Sequence, residues 1–128
     1  MHKKLPKIFI FIDKYNREIF KNKNLNIGIV YRNYNDENRE NQLIKIANKH
    51  KKPVFIDPKG DNFNCYKNAF AITPNLKEFE NIVGPCKDHN EIVKKAKNLS
   101  KKLNINSILV TLGSNGMILI QKNLLALY

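Results

Sequence analysis

Asn75-Leu76-Lys77-Glu78 combines residue types that could do two different jobs. Asn and Glu three residues apart are the parts of a capping box: each side chain accepts from the other residue's backbone N–H. Thr73-Pro74 just before fixes an extended entry. The same geometry presents free N–H groups and the positive end of a helix dipole, which suits a phosphate. Glu78 could then orient a magnesium-bound water, because magnesium keeps most of its waters and binds through few carboxylates. On these residues alone, helix cap and anion rim both stay open.

Two further clusters have the same double character. Asp57-Pro58-Lys59-Gly60 is ordinary turn chemistry, yet Lys59 at a strand end could face an anionic substrate or nucleotide. In Thr111-Leu112-Gly113-Ser114-Asn115-Gly116, the Asn115-Gly116 pair is a hairpin-turn signal that needs no ligand. Gly113 and Gly116 would also let the backbone approach a nucleotide closely, with Thr111 offering a hydroxyl. Cys65 and Cys86 make no CxxC, and His2, His50 and His89 are far apart, so no zinc or redox motif follows.

The elements that must position these clusters read as follows. Residues 8–12 could be a buried strand, and the rest of 1–25 is ambiguous. Short apolar runs at 26–31, 53–57, 69–72, 107–112 and 117–120 read as strands. Residues 38–50 read as a helix with Leu43, Ile44 and Ala47 on one face. A helix begins near Asn75, and another spans about 89–103 with Ile92, Ala96, Leu99 and Leu103 along one stripe. Asp88 with Glu91 makes a capping box at its start. Residues 107–120 read as a β-hairpin. Strands alternating with helices predict an α/β layered fold with a mainly parallel sheet. In such sheets ligands bind at the carboxyl ends of the strands, where all three clusters fall.

The totals set the class. The 128 residues, 42% hydrophobic and 27% charged, fit one globular domain. The net charge of +12 would suit phosphate-rich partners. Only Arg17, Arg32 and Arg39 are arginines, while Lys, Asn and Ile abound, as A/T-rich codons produce without selection. A nucleic-acid surface would be richer in Arg and aromatic residues, so a nucleic-acid partner is not expected. Asp13 and Lys14 end the early apolar run, and no stretch reaches the length of a membrane span. A cytoplasmic protein with no membrane partner is the expectation.

Taken together and in order, "PVFIDPKGDNFNCYKNAFAITPNLKEFENIVG" and "ILVTLGSNGM" resemble the ribokinase-like, phosphofructokinase-B type carbohydrate kinases. The resemblance is clearest over 26–121. Within that superfamily it points to the heptose 7-phosphate kinases of lipopolysaccharide-core (ADP-heptose) biosynthesis, which phosphorylate the sugar 1-position with ATP and carry an adenylyltransferase domain. The resemblance implies a three-layer ribokinase-like fold, incomplete here, as one partial kinase domain over 1–128. It implies ATP and Mg2+ as cofactors, with Asn75, Leu76, Lys77, Glu78, Thr111, Gly113 and Gly116 along the nucleotide. Glu78 would act on the metal through water, and Lys59 would face the cleft. A phosphorylated sugar is the implied partner, together with a complementary kinase fragment or a second copy.

Departures from the family pattern bear on activity. The family's Ser-Asp-Tyr-x-Lys-Gly motif reads here with Asn33, Tyr34, Asp36 and Glu37. Asn62 stands where the family's Gly-x-Asp-Phe has Asp. The family's Gly-Ala-Gly-Asp motif, an anion hole plus catalytic base, has no counterpart in residues 1–128, and neither has the sugar-binding Gly-rich motif. No catalytic residue is therefore assigned, weak or absent turnover is expected, and apolar surface is expected to stay exposed. A different sugar or nucleoside kinase, a non-catalytic basic binding protein and a decayed remnant remain as alternatives.

Overall fold

The computed structural model describes residues 6, 8–13, 17–20, 26–32 and 40–122. The motif region at 33–37 lies outside the described residues. Six strands form one sheet: β1 (Ile8–Ile12), β2 (Ile27–Arg32), β3 (Val54–Asp57), β4 (Ala71–Ile72), β5 (Ser107–Thr111) and β6 (Met117–Gln121). They lie side by side in chain order, parallel throughout except for the antiparallel β5–β6 pair. The helices are α1 (Glu40–Lys49), α2 (Leu76–Val83) and α3 (His89–Leu103).

Strand order dictates the layering. Crossovers between parallel strands are right-handed, so strands that advance steadily in one direction place every crossover on the same face. The packing shows this result. Leu43, Ile44 and Ala47 of α1, Phe79 of α2 and Ile92, Ala96, Leu99 and Leu103 of α3 share one core with Ile29, Tyr31, Ile56, Ile72, Ile108 and Val110. Those strand residues all belong to one side of the sheet by register.

The other side carries no helix among the described residues. Register places Phe9, Phe11, Val30, Phe55, Leu109, Met117 and Leu119 on it. Phe11 is 70% exposed and Met117 63%. Phe9 packs edge-on against Phe55, ring centroids 5.3 Å apart, and Phe55 meets Phe70 at 5.2 Å. Gly28 makes room for this: a Cβ there would lie 2.7 Å from the Phe9 ring. Four of the five exposed large hydrophobics among the described residues, Phe9, Phe11, Met117 and Leu119, lie on this face, and Ile8, 56% exposed, lies on the other.

Three expectations change in detail. Residues 8–12 do form a strand, but an edge strand that is mostly exposed, because only β2 pairs with it. The strand expected over 69–72 pairs only through Ala71 and Ile72. The Asn115-Gly116 pair does not make a two-residue hairpin. Thr111 pairs with Met117, and a five-residue loop with a 3-10 turn at Gly113–Asn115 joins the strands. Its positive φ angles fall at Gly113 and Gly116, leaving Asn115 in an ordinary conformation.

Candidate functional site at the carboxyl ends of the strands

Proline follows the ends of β3 and β4, and the Gly113–Asn115 turn follows β5, all at the carboxyl end of the sheet, where backbone bonds tie the ends together. The Thr73 N–H donates to Ile56 O at 3.0 Å, joining the end of β4 to β3. The Thr111 N–H donates to Pro74 O at 3.0 Å, and Asn75 and Thr111 form an isolated parallel bridge. The start of α2 is therefore held against the end of β5. Asn75, which leads directly into Leu76, Lys77 and Glu78, meets Thr111 although the two are far apart in sequence, and Gly113 and Gly116 belong to the loop that follows Thr111.

The α2 start is a complete capping box. Asn75 is extended, its Oδ1 accepts from the Glu78 N–H at 2.8 Å, and Glu78 Oε2 accepts from the Asn75 N–H at 2.9 Å. The Phe79 N–H donates to Asn75 O. Leu76 and Lys77 provide the first two N–H groups of α2, and neither has an acceptor within the helix. N–H groups at the positive dipole end of a helix can donate to a phosphate oxygen. One Glu78 oxygen is held by the cap, and the other is available to a water. Among the described residues no cluster of three or more His, Cys, Asp or Glu side chains could cage a metal. A magnesium ion would fit here through its own water shell, as its coordination preference favours.

The Gly113–Gly116 loop follows closely on Thr111, the residue bridged to this helix start. Gly113 has φ +61° and Gly116 φ +92°, and a Cβ at either would meet no protein atom within 4 Å. The loop is closed by the Leu112 N–H donating to Gly116 O at 2.8 Å. It thus presents a bare, exposed backbone edge.

Lys59 follows β3 at the same end of the sheet. Its turn is clamped by Tyr66, a partnership that sequence reasoning missed. The Lys59 N–H donates to Tyr66 Oη at 2.9 Å, and the Tyr66 hydroxyl donates to Lys59 O at 3.1 Å. Burial pushes the Tyr66 phenol well above its ordinary range. Asn62 serves the loop, its Oδ1 accepting from the Asn64 N–H at 2.9 Å. Arg32 and Asp57 form an ion pair at 3.6 Å across the ends of β2 and β3, also unforeseen. Parallel register is what brings them together, and register is not visible in sequence.

The pfkB family of carbohydrate kinases matches residues 11–126. Bifunctional protein HldE of Photorhabdus laumondii is 49% identical over 79 residues, covering 62% of this chain and 17% of that protein. HldE of Blochmanniella floridana is 45% identical over 87 residues, covering 68% of this chain and 18% of the other. The chain thus spans under a fifth of these curated relatives. Escherichia coli phosphofructokinase-2 in complex with fructose-6-phosphate superimposes with TM-score 0.64 at 19% identity, over 76% of this chain and 35% of that one. Arabidopsis thaliana ribokinase complexed with ribose and ATP gives 0.65 at 20% identity, over 88% and 37%.

Proposed function

Because this chain belongs to the pfkB family of carbohydrate kinases, we propose that it carries part of the ATP site of a kinase acting on D-glycero-β-D-manno-heptose 7-phosphate. One observation carries the nucleotide reading. A capped helix start is bridged directly to Thr111, which leads into a bare glycine loop. The choice of sugar is supported by the 49% identity to HldE rather than by any contact in the structure.

In this reading Leu76 and Lys77 N–H groups hold a phosphate oxygen, and Asn75 keeps the helix start rigid enough to aim them. Glu78 accepts from a metal-bound water through the oxygen that the cap leaves available. Lys59, presented on the Tyr66-clamped turn, supplies positive charge at the cleft. Gly113 and Gly116 let the nucleotide lie along the backbone. Bound MgATP supplies the phosphoryl group, with the metal neutralising its charge.

Residues 1–128 contain no Gly-Ala-Gly-Asp sequence. Phosphoryl transfer depends on positioning, charge stabilisation and a base that orients the attacking oxygen. A positioned base contributes roughly 10²–10⁴-fold. The chain alone should therefore bind MgATP but phosphorylate heptose 7-phosphate slower by at least about that factor. The assay is ATP-dependent phosphorylation of heptose 7-phosphate, with fructose 6-phosphate and ribose in parallel. Turnover matching a full-length kinase, or faster transfer to either control sugar, would contradict this reading.

A further inference from the structure

We propose that the cavity at the amino end of the sheet binds a small oxyanion of the phosphate-ester or carboxylate class. The cavity, about 630 Å3, opens beside the residues that precede β2, β3, β4 and β5, at the opposite end of the strands from Asn75. The nucleotide reading makes no use of it. Lys51, Lys52, Lys122, Asn48, Asn68 and Asn104 are among its lining residues, and among the described residues no Asp or Glu lines it. The flanking chain adds no acid either: from Ile92 to Tyr128 the sequence has neither Asp nor Glu.

Hydrogen-bond logic makes this lining rich in donors. A Lys ammonium can only donate, so the Lys122 Nζ bond to Asn104 fixes Oδ1 as the accepting atom. The Asn104 Nδ2 must then face Asn68, and it donates to Asn68 Oδ1 at 2.8 Å. The Asn68 backbone O accepts from Asn48 Nδ2 at 3.1 Å. Both oxygens of Asn68 are thereby engaged, and its Nδ2 remains a donor. Lys122 retains donors, and Lys51 adds a second exposed ammonium.

Two helix ends lie nearby, and their hydrogen bonds moderate their opposition to an anion. The carboxyl ends of α1 and α3 carry partial negative charge. Several of their last-turn carbonyls already have donors: Ile46 O from the His50 N–H, Ala47 O from Lys52, Ser100 O from Ile105 and Leu103 O from Asn68. Lys51, Asn68 and Asn104 are the non-glycine residues with positive φ among the described residues, and all three line the cavity. Their left-handed backbone sets the direction in which each side chain leaves.

The test is amide NMR titration of the chain with inorganic phosphate, and separately with acetate, against chloride at matched ionic strength. Saturable shifts at Lys51, Asn68, Asn104, Asn106 and Lys122 are expected, absent with chloride. The tighter of phosphate and acetate identifies the ligand class. Lys122→Gln, which keeps a donor to Asn104, and Asn68→Asp should each weaken binding about ten-fold, the scale of one charge-assisted hydrogen bond. Lys94→Gln, on the exposed face of α3, should leave it unchanged. Equal shifts with chloride, shifts confined to Asn75–Glu78 and Gly113–Gly116, or equal weakening by Lys94→Gln would overturn the proposal. Because the two ends of the sheet report through different amides, failure here is distinct from failure of the nucleotide reading.

Discussion

At the scale of single residues, Asn75 and Glu78 serve stability and recognition with the same atoms. Asn75→Ala removes the acceptor for the Glu78 N–H and should cost about 1 kcal/mol of unfolding free energy. It should weaken MgATP binding as well, since the N–H pair loses its fixed aim. Glu78→Gln keeps an acceptor for the Asn75 N–H, so its melting temperature should stay close to the parent while the magnesium-dependent part of nucleotide affinity falls. Thermal unfolding and calorimetric titration with and without magnesium separate the two effects. Tyr66 makes a different prediction. Its folded pKa is raised by burial, so its contribution to stability is complete below the unfolded value of about 10 and is lost as pH rises beyond it. Denaturant unfolding between pH 9 and 11 (roughly the span around that unfolded value) should show a shallower decline for Tyr66→Phe than for the parent. Tyr66→Phe also loses both bonds to the Lys59 turn, about 1–2 kcal/mol at neutral pH.

At the scale of elements, legibility followed the locality of the signal. The α3 helix was readable because its apolar stripe and its Asp88 cap are local, and Asp88 Oδ1 does accept from the Glu91 N–H at 2.9 Å. The reciprocal half is not as expected. The Glu91 carboxylate reaches one residue further back, to the Lys87 N–H at 2.7 Å, so the box is offset. The α2 cap was legible for the same reason, and its contact with Thr111 was not, since parallel neighbours leave no trace in local pattern. The Tyr66 clamp spans seven residues and depends on a tertiary fold-back. The hairpin loop misled because Asn115-Gly116 favours a tight turn in isolation, whereas strand pairing from Thr111 to Met117 sets a longer loop. Gly116 at φ +92° then becomes the sensitive position. Gly116→Ala should cost about 1 kcal/mol or more by backbone strain alone, although no protein atom blocks the added methyl. Equilibrium denaturation gives that value directly.

At the scale of the whole molecule, the sequential strand order explains both the complete core and the bare face. Every helix described lies on one side, so the apolar residues of the other side meet solvent. An exposed sheet face of this kind favours association. Leu119→Lys, at a residue 54% exposed on the edge strand β6, should lower binding of a hydrophobic dye and raise solubility. Its effect on unfolding free energy should stay within about 0.5 kcal/mol. Dye fluorescence and sedimentation read the first two effects, and a large stability loss would mean that the face is packed. The central claim is that the ends of β3, β4 and β5 form a nucleotide site. Amide NMR titration with MgATP tests it most directly. Saturable shifts centred on Lys59–Gly60, Asn75–Glu78 and Thr111–Gly116, weakened in Asn75→Ala, are the expected result. No saturable shifts, or shifts confined to the amino end of the sheet, would contradict it.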